Sequence, residues 1–490
     1  MSDSTTPIIV GIAQIEQRTK DLHRAKEPID LMLDALHAAA ADTGNPSILG
    51  KVRSIRVSQG QWQYGNPARF LADEVGLNGV ETGKTVFGGN GVQTTVNLSC
   101  LDIQQGNFDV IAMTGAECGY SQANARRSGQ SLTWRELPGT PDWTIKFGIG
   151  VRDPLETNRG IGGASQMYAV IENAIRHDRG ESIDEHRVNV SKLWSRFNDV
   201  AQHNPNAWIK HNVSAKEIRT EGANNRPIAF PYPKFMNANN NVDQGAALLL
   251  CSVSVARQLG IPESKWVYPW AGTDGHDTQT VSHRAKFTRA PGLRTVAERV
   301  LELTELNLGN IAHFDLYSCF PSAVQVAAKE IGLDLEQPLT VTGGLTFGGG
   351  PLNNYVMHAI ARMVELLREQ SDKIGMVTGN GGILTKHAHG IYSSTPPSKP
   401  FLHQDVQALI DTSGNRVTDA HPTEAVEVEG YTVLYDREAP IRGVAACLTV
   451  DGKRTWGYTT DRDLMHEMQT REFCGRNVRL DDEGVMNTVA

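Results

Sequence analysis

The sequence predicts an α/β protein made of two related halves, with a β-rich region at its C-terminal end. Three observations carry this. Strand-like and helix-like stretches alternate over most of the chain, the pattern of layered α/β folds. Two segments far apart, 85–117 and 340–382, share one order: Thr-Val, a glycine-rich turn, a helix, then a strand ending in Thr-Gly. From about residue 398 helical periodicity gives way to alternating apolar and polar residues.

Each element follows in order. A short polar lead precedes the buried strand PIIVGIAQI (7–15). EPIDLMLDALHAAAADTG (27–44) is an amphipathic helix, with Ile29, Leu33 and Leu36 on one side and a glycine at its end. The stretch 85–117 reads as strand, glycine turn, helix and strand. A long period between such units predicts two fused related domains rather than a solenoid. The units are expected to be equivalent about a pseudo-twofold axis. Between the halves, about 121–240, tryptophans appear (Trp134, Trp143, Trp194, Trp208), and NNRPIAFPYPKFMNANNN (224–241) reads as irregular loop. STPPSKP (394–400) reads as a linker. Beyond it AVEVEGYTVLYD (425–436) alternates, and AACLTVDGKRTWGYTTD (445–461) is a hairpin turning at Asp451-Gly452. The expected division is 1–255 for the first half with its insertion, 256–397 for the second half, and 398–490 for a separate β-rich unit.

Composition excludes several classes. A hydrophobic content of 40% and a charged content of 21% are ordinary for a globular protein. The net charge of −8 gives no footprint for nucleic acid. The end region from 398 holds 10 basic and 16 acidic residues, which disfavours nucleic-acid binding there too. No apolar run approaches the roughly 18 residues of a membrane span. The cysteines Cys100, Cys118, Cys251, Cys319, Cys447 and Cys474 never form C-x-x-C. They read as reduced thiols of a cytoplasmic protein, with no metal site.

GGLTFGGGPLN (343–353) is the most glycine-rich stretch. It is not a P-loop, which needs Lys-Ser or Lys-Thr after its last glycine, and it lacks the dinucleotide spacing.

Several segments together resemble the thiolase superfamily over about 6–394. GNFDVIAMTGAECGYS (106–121) is similar to the thiolase strand ending in Gly-x-Glu, and VDQGAALLL (242–250) to the close of the first half. DLYSCFPSAVQVAAKEIGL (315–333) is similar to the His-Asp-Cys-Phe motif of sterol-carrier-protein-type thiolases. GGLTFGGGPLN stands where thiolases carry Gly-Gly-Leu and Gly-His-Pro. The end region, with VEGYTVLYDREAP (428–440), resembles the added domain of thiolase-like proteins of type 1. The resemblance implies a duplicated five-layer thiolase fold with a small β-rich C-terminal domain. It also implies an acyl-CoA ester as substrate or ligand, an acetyl-CoA acetyltransferase-like, lipid-metabolic activity, and no tightly bound cofactor. A monomer is expected, because the added region can cover the usual dimer face.

The resemblance also shows what is missing. Gly350 replaces the thiolase histidine, and Gly89 or Asn90 replaces the nucleophilic cysteine. Tyr317 replaces the Asn or His of the thioester-oxygen site, and Gly379 replaces the second cysteine. Acyl transfer needs a thiolate, its base and an acid for the α-carbon, and none stands in place. The expected catalytic set is therefore Tyr317, Asn90, Cys319 and His387. The expected substrate-binding residues are Gly88, Gly89 and Gly91 in the first turn. Gly343, Gly344, Gly349 and Gly350 are expected to bind from the long loop, and Gly379, Asn380 and Gly381 from the last turn. Tyr317 suits a proton shuttle if its pKa falls from about 10; some relatives that act as aldolases carry Tyr there in a Tyr-Asp-x-Phe motif. Backbone N–H groups of 89–91 can cradle a thioester oxygen at a helix start. Cys100 reads as a core thiol, Cys118 as a rim thiol, and Cys319 as a pocket cysteine without a nucleophile role. His387 and His389 read as exposed polar residues and His276 as a solvated loop residue. Three functions compete: an acyl-CoA acyltransferase with non-standard residues, a retro-aldol lyase using Tyr317, and a silent acyl-CoA-binding scaffold.

Overall fold

A computed structural model describes residues 3–145, 153–278, 280–410, 412, 414–437 and 439–488. The first half holds strands β1 (Pro7–Glu16), β2 (Ser54–Val57), β3 (Glu81–Thr85), β4 (Val110–Cys118) and β5 (Trp143–Ile145). The inserted stretch adds β6 (Pro227–Ala229) and β7 (Tyr232–Pro233), and β8 (Asp243–Ser252) completes the half. The sheet runs β1-β8-β4-β2-β3-β5. β8 is antiparallel to both β1 and β4, and β2 and β3 continue parallel to β4. Every residue of β4 and β8 is buried, because helices cover both faces. The helix Pro28–Asp42 buries Ile29, Met32, Leu36 and Ala39, while Leu33 is only half-buried. It stops at Thr43, before Gly44 with φ +80°.

The second half repeats the plan. Its strands are β9 (Tyr268–His276), β10 (His313–Asp315), β11 (Ile374–Gly381), β12 (Lys386–Ser393) and β13 (Leu402–Asp405), in the order β10-β11-β12-β9-β13. β12 is antiparallel to β9 and β11, and β10 is parallel to β11. So β9, β12, β11 and β10 pair as β1, β8, β4 and β2 do. The two repeat units lie in separate sheets at matching places. In each, a helix (Gly91–Gln104 or Tyr355–Glu369) leads into the matching strand, β4 or β11.

The match fails at one point. Residues 340–342, expected to form a strand like β3, form none. The carboxylate of Asp315 accepts from the N–H groups of Val341 (3.0 Å) and Thr342 (3.2 Å), and from both threonine hydroxyls. That one buried side chain supplies acceptors a neighbouring strand would otherwise give.

β13 pairs parallel with β9. The second sheet therefore continues past the boundary expected at 397. The hairpin turning at Gly452 is present, with Gly452 at φ +79°. The third sheet runs β16 (Arg454–Thr459), β15 (Ala439–Leu448), β14 (Val426–Asp436), β17 (Asn477–Leu480) and β18 (Met486–Thr488). It curls: Tyr458 of β16 donates to Gly484 beside β18 (2.9 Å). The insertion joins it, because β6 pairs with β14 at Ala229–Leu434. Tyr431, Val433, Ala445, Met468 and Phe473 form its own core.

The insertion also supplies two long helices, Ala164–Asp178 and Ile183–His203. Trp194, Phe197 and Ala201 of the second belong to the core that includes Leu345 and Phe347. Among the described residues no helix is long and apolar enough to cross a membrane.

Candidate functional site

The two halves meet where the start of helix Gly91–Gln104 faces the end of β11. The Gly88 N–H donates to Asn353 Oδ1 (3.1 Å), and Asn353 Nδ2 donates to the Gln59 carbonyl (2.7 Å). This pins the first turn to the long glycine loop. A Cβ at position 89 would stand 2.4 Å from both the Tyr317 hydroxyl and the Asn380 carbonyl. A Cβ at 381 would stand 2.3 Å from Asn90 Oδ1, and one at 379 would stand 3.0 Å from Asn90 Cα. At 89, where the Asn380 carbonyl is backbone, a side chain would force a shift. The structure thus brings together Gly88, Gly89, Asn90, Gly91, Tyr317, Gly379, Asn380 and Gly381. It leaves no room for a thiol at 89 without a shift of Asn380 or Tyr317.

Tyr317 follows β10. Its N–H donates to Thr378 Oγ1 (2.9 Å), and its ring stands edge-on to Tyr355 at 5.5 Å. Tyr355 donates to buried Asp315 (2.9 Å). The Tyr317 ring keeps partial exposure within an otherwise buried surrounding, and its hydroxyl has no hydrogen-bond partner among the described residues. Burial pushes its pKa above the ordinary phenol value, and the nearby Cys319 sulfur adds to the rise. The lowered pKa that a proton shuttle here would need runs against this rise. A raised pKa favours the protonated hydroxyl. Asn90 Oδ1 is likewise buried without a partner, and Asn90 places no side-chain cap on its helix. The positive helix end therefore faces the Tyr317 hydroxyl with no carboxylate in its first turn.

Cys319 is 8% exposed, its thiol pushed up to about 12 by burial. It neighbours Tyr168, whose hydroxyl accepts from Asn380 Nδ2 (3.0 Å) and from the Leu384 N–H (3.0 Å). All six cysteines are buried and unpaired. None meets the exposure and lowered pKa that a thiolate nucleophile needs.

His387 is not in this constellation. It lies opposite Asn380 in the β11–β12 pairing, but its Nε2 is committed to Asp277 Oδ2 (2.8 Å). Burial would raise the Asp277 carboxyl; the hydrogen bond and charge of His387 outweigh it and hold it below the usual range. Asp277 also accepts from Gly292 N–H at the first turn of helix Pro291–Thr304 (2.9 Å). The pair fastens a strand end to a helix. His387 and His389 are fully buried, not exposed as expected, and burial lowers His389 to about 3.

The loop 343–350 packs mainly against the insertion. A Cβ at 343 would stand 2.4 Å from the Ala201 Cβ, and one at 349 would stand 2.2 Å from Gln244 Oε1. At 344 it would meet Ser318 Oγ at 2.6 Å and Phe197. The carbonyls of Phe347 and Gly348 accept from Ile209 and Trp208, and Gly350 N–H donates to Asn239. What this loop holds, among the described residues, is the insertion. Its glycines answer to close packing.

Sequence reasoning missed Tyr168, Asn353, Thr378 and Asp315. Asn353 and Asp315 stood inside quoted motifs. Tyr168 gave no signal, since a tyrosine on a helix reads as core. Two cavities lie elsewhere. One of about 380 Å³ is lined by Arg56, Leu101, Phe108 and Trp143; one of about 300 Å³ by Glu27, Asp30 and Trp134.

No family profile and no curated protein matches this chain. Solved structures do. A monomeric SCP2-thiolase-like protein type 1 from Mycobacterium smegmatis is 29% identical over the whole of both chains, with a TM-score of 0.85. An Ltp2-ChsH2(DUF35) aldolase is 20% identical, covering 80% of this chain and 98% of that one, with a TM-score of 0.59. An acetyl-CoA acetyltransferase from Syntrophomonas wolfei is 16% identical over 80% of this chain and 100% of that one, with a TM-score of 0.57. The last two show the fold alone. Full-length likeness to the first, the paired sheets and the glycine turn facing β11 agree, and the chain belongs to the thiolase superfamily.

Proposed function

We propose that the chain binds an acyl-CoA ester where its two halves meet, and that Tyr317 acts there as a hydrogen-bond donor and acid. Acyl transfer through a cysteine does not fit the site. The observation that carries this reading is the unpartnered Tyr317 hydroxyl beside the helix start at Gly91. A protonated tyrosine at a positive helix end suits an oxyanion. In a β-hydroxyacyl-CoA, solvent takes the hydroxyl proton as the Cα–Cβ bond breaks. The electron pair moves to an enolate of the thioester, Tyr317 donates its proton to its α-carbon, and solvent returns a proton to Tyr317. The products are a carbonyl compound and a shorter acyl-CoA. The aldolase among the structural neighbours supports this reaction class by fold. Cytoplasmic placement, with all cysteines unpaired, goes with this reading. So does a monomer: β5 covers the open edge of β3, and the neighbour from Mycobacterium smegmatis is monomeric.

A second reading, ligand binding without turnover, is favoured by the crowding at Gly89. One experiment separates them. The protein is incubated with acetyl-CoA and with a β-hydroxyacyl-CoA, and followed by intact-protein mass spectrometry and product analysis. The expected result is no acyl adduct with either, and cleavage of the β-hydroxyacyl-CoA that Tyr317→Phe abolishes while CoA-ester binding persists. Binding without cleavage moves the conclusion to the second reading. An adduct on Cys319 or Cys118 overturns both.

A further inference from the structure

The insertion and the C-terminal region bring three different metal-binding side chains to one place. His177 stands in the last turn of the helix Ala164–Asp178. Glu472 and Cys474 follow the helix Arg462–Thr470 and precede β17. One donor atom from each of the three side chains lies within 4.8 Å of the other two. His177 and Glu472 are exposed, and Cys474 is 3% exposed. The group is therefore open to solvent at its imidazole and its carboxylate. Gly475 has φ +78°, and a Cβ there would stand 3.6 Å from His177 Cε1, so the loop turns directly against the imidazole.

The carboxylate is held in place and only half committed. Glu472 Oε1 accepts from Arg176 Nη2 (2.8 Å) and from the N–H groups of Phe473 (2.8 Å) and Cys474 (2.9 Å). Oε2 accepts from Arg176 Nη1 (2.6 Å) and lies 3.6 Å from His177 Nδ1. A carboxylate oxygen has two lone pairs, so Oε2 keeps one for a further partner. The gap to the imidazole is too long for a hydrogen bond. It is close to the roughly 3.3 Å between N and O donors that share a tetrahedral zinc with bonds of about 2.0–2.1 Å. Cys474 Sγ makes one weak contact, to the Asn173 carbonyl (3.8 Å). Burial raises its thiol pKa, the charge of Glu472 adds to the rise, and Arg176 works against it.

We propose that His177, Glu472 and Cys474 bind a zinc-like divalent cation that ties the insertion to the C-terminal region. The cation forms bonds to a neutral ring nitrogen of His177, to Glu472 Oε2 and to Cys474 Sγ, whose thiol proton leaves to solvent, and water fills the fourth position. Mixed N, O and S donors suit zinc, whereas magnesium and calcium take oxygen. A separation of 4.8 Å exceeds the roughly 3.8 Å between donors on a tetrahedral zinc by about 1 Å, which rotation of the exposed His177 supplies. Arg176 repels the cation, and the carboxylate and the new thiolate offset it. The negative end of the helix that carries His177 also favours a cation there. The donors come from positions 177 and 472–474, so no short spacing motif announces them. The site does not depend on the reaction at Tyr317.

The test uses the full chain without an affinity tag, stripped with a chelator. Cobalt(II) is titrated by absorption, and zinc by calorimetry and thermal shift. The expected result is one ion per chain, a thiolate-to-cobalt charge-transfer band in the near ultraviolet, and a melting temperature that zinc raises saturably. Cys474→Ser is expected to remove the band, and His177→Gln to weaken zinc binding by about tenfold or more. The proposal is overturned if the natural protein shows no saturable binding, which would leave His177 and Glu472 as an ordinary ion pair. It is also overturned if the band survives in Cys474→Ser, which would place the ion on another cysteine. Should Cys474→Ser not fold, His177→Gln decides alone, because that side chain is exposed, and unchanged zinc affinity in it overturns the proposal.

Discussion

The two glycine turns look alike in sequence and differ in what they face. At 88–91 the glycines admit the other half of the molecule, Asn90 Oδ1 is buried without a partner, and the Tyr317 hydroxyl has none among the described residues. At 343–350 the glycines admit the insertion helix, and the carbonyls of 347 and 348 are bonded to Ile209 and Trp208 just beyond it. Unspent hydrogen-bonding capacity, not glycine content, separates a site from a seam.

The largest expected effect tests the seam. Gly343 has φ +91°, and any side chain there meets Ala201. Gly343→Ala combines a left-handed backbone cost of about 1–2 kcal/mol with overpacking of about 1–3 kcal/mol. Gly89→Ala carries only the overpacking of about 1–3 kcal/mol. Urea denaturation is expected to show the greater loss at 343. A greater loss at 89 would reverse the comparison.

A smaller, pH-dependent effect concerns the helix Ile183–His203 that backs the loop. His186 lies between Glu172 (2.6 Å) and Glu181 (2.6 Å). Burial opposes protonation of His186, but the two carboxylates outweigh it and raise its pKa. Burial likewise opposes ionisation of Glu172, and the His186 contacts outweigh it and lower its carboxyl. The histidine's contribution is full below its ordinary pKa of about 6.5 and is lost as pH rises through the raised value. The glutamate's is full above about 4.3 and is lost as pH falls through the lowered value. Denaturation midpoints across pH are expected to fall on the alkaline side, and His186→Gln is expected to flatten that limb. An unchanged alkaline limb in the variant would remove His186 from the account.

The smallest effect sharpens the other turn. Tyr317→Phe removes a hydroxyl with no protein partner, so stability is expected to move by less than about 0.5 kcal/mol. A loss above about 1 kcal/mol would reveal a bond to that hydroxyl and weaken its assignment to a ligand.

The doubled plan was legible because strand order and glycine turns are local signals that recur. Asp451-Gly452 and the alternation of β14 were legible for the same reason. The missing strand at 340–342 was not, since its replacement is one carboxylate at Asp315. Of the expected site, the residues at 88–91, 317 and 379–381 do meet. His387 does not join them, because strand pairing brings it near Asn380 while Asp277 claims its ring. Tyr168 was invisible for a further reason. It reaches the turn after β11 from far away in the chain, and no periodicity reports such a partner.

The insertion's β6 ends beside β14, where the Thr432 hydroxyl donates to the Phe230 carbonyl across 202 residues. On a growing chain, that edge waits unpaired until almost the whole protein has been synthesised. Such distant closure slows folding and leaves an open strand edge in the interval. A chain cut after β13 would keep both halves and still carry that open edge. The tail is therefore a folding partner of the insertion, and truncations meant to isolate the two halves should be judged by their aggregation before their activity.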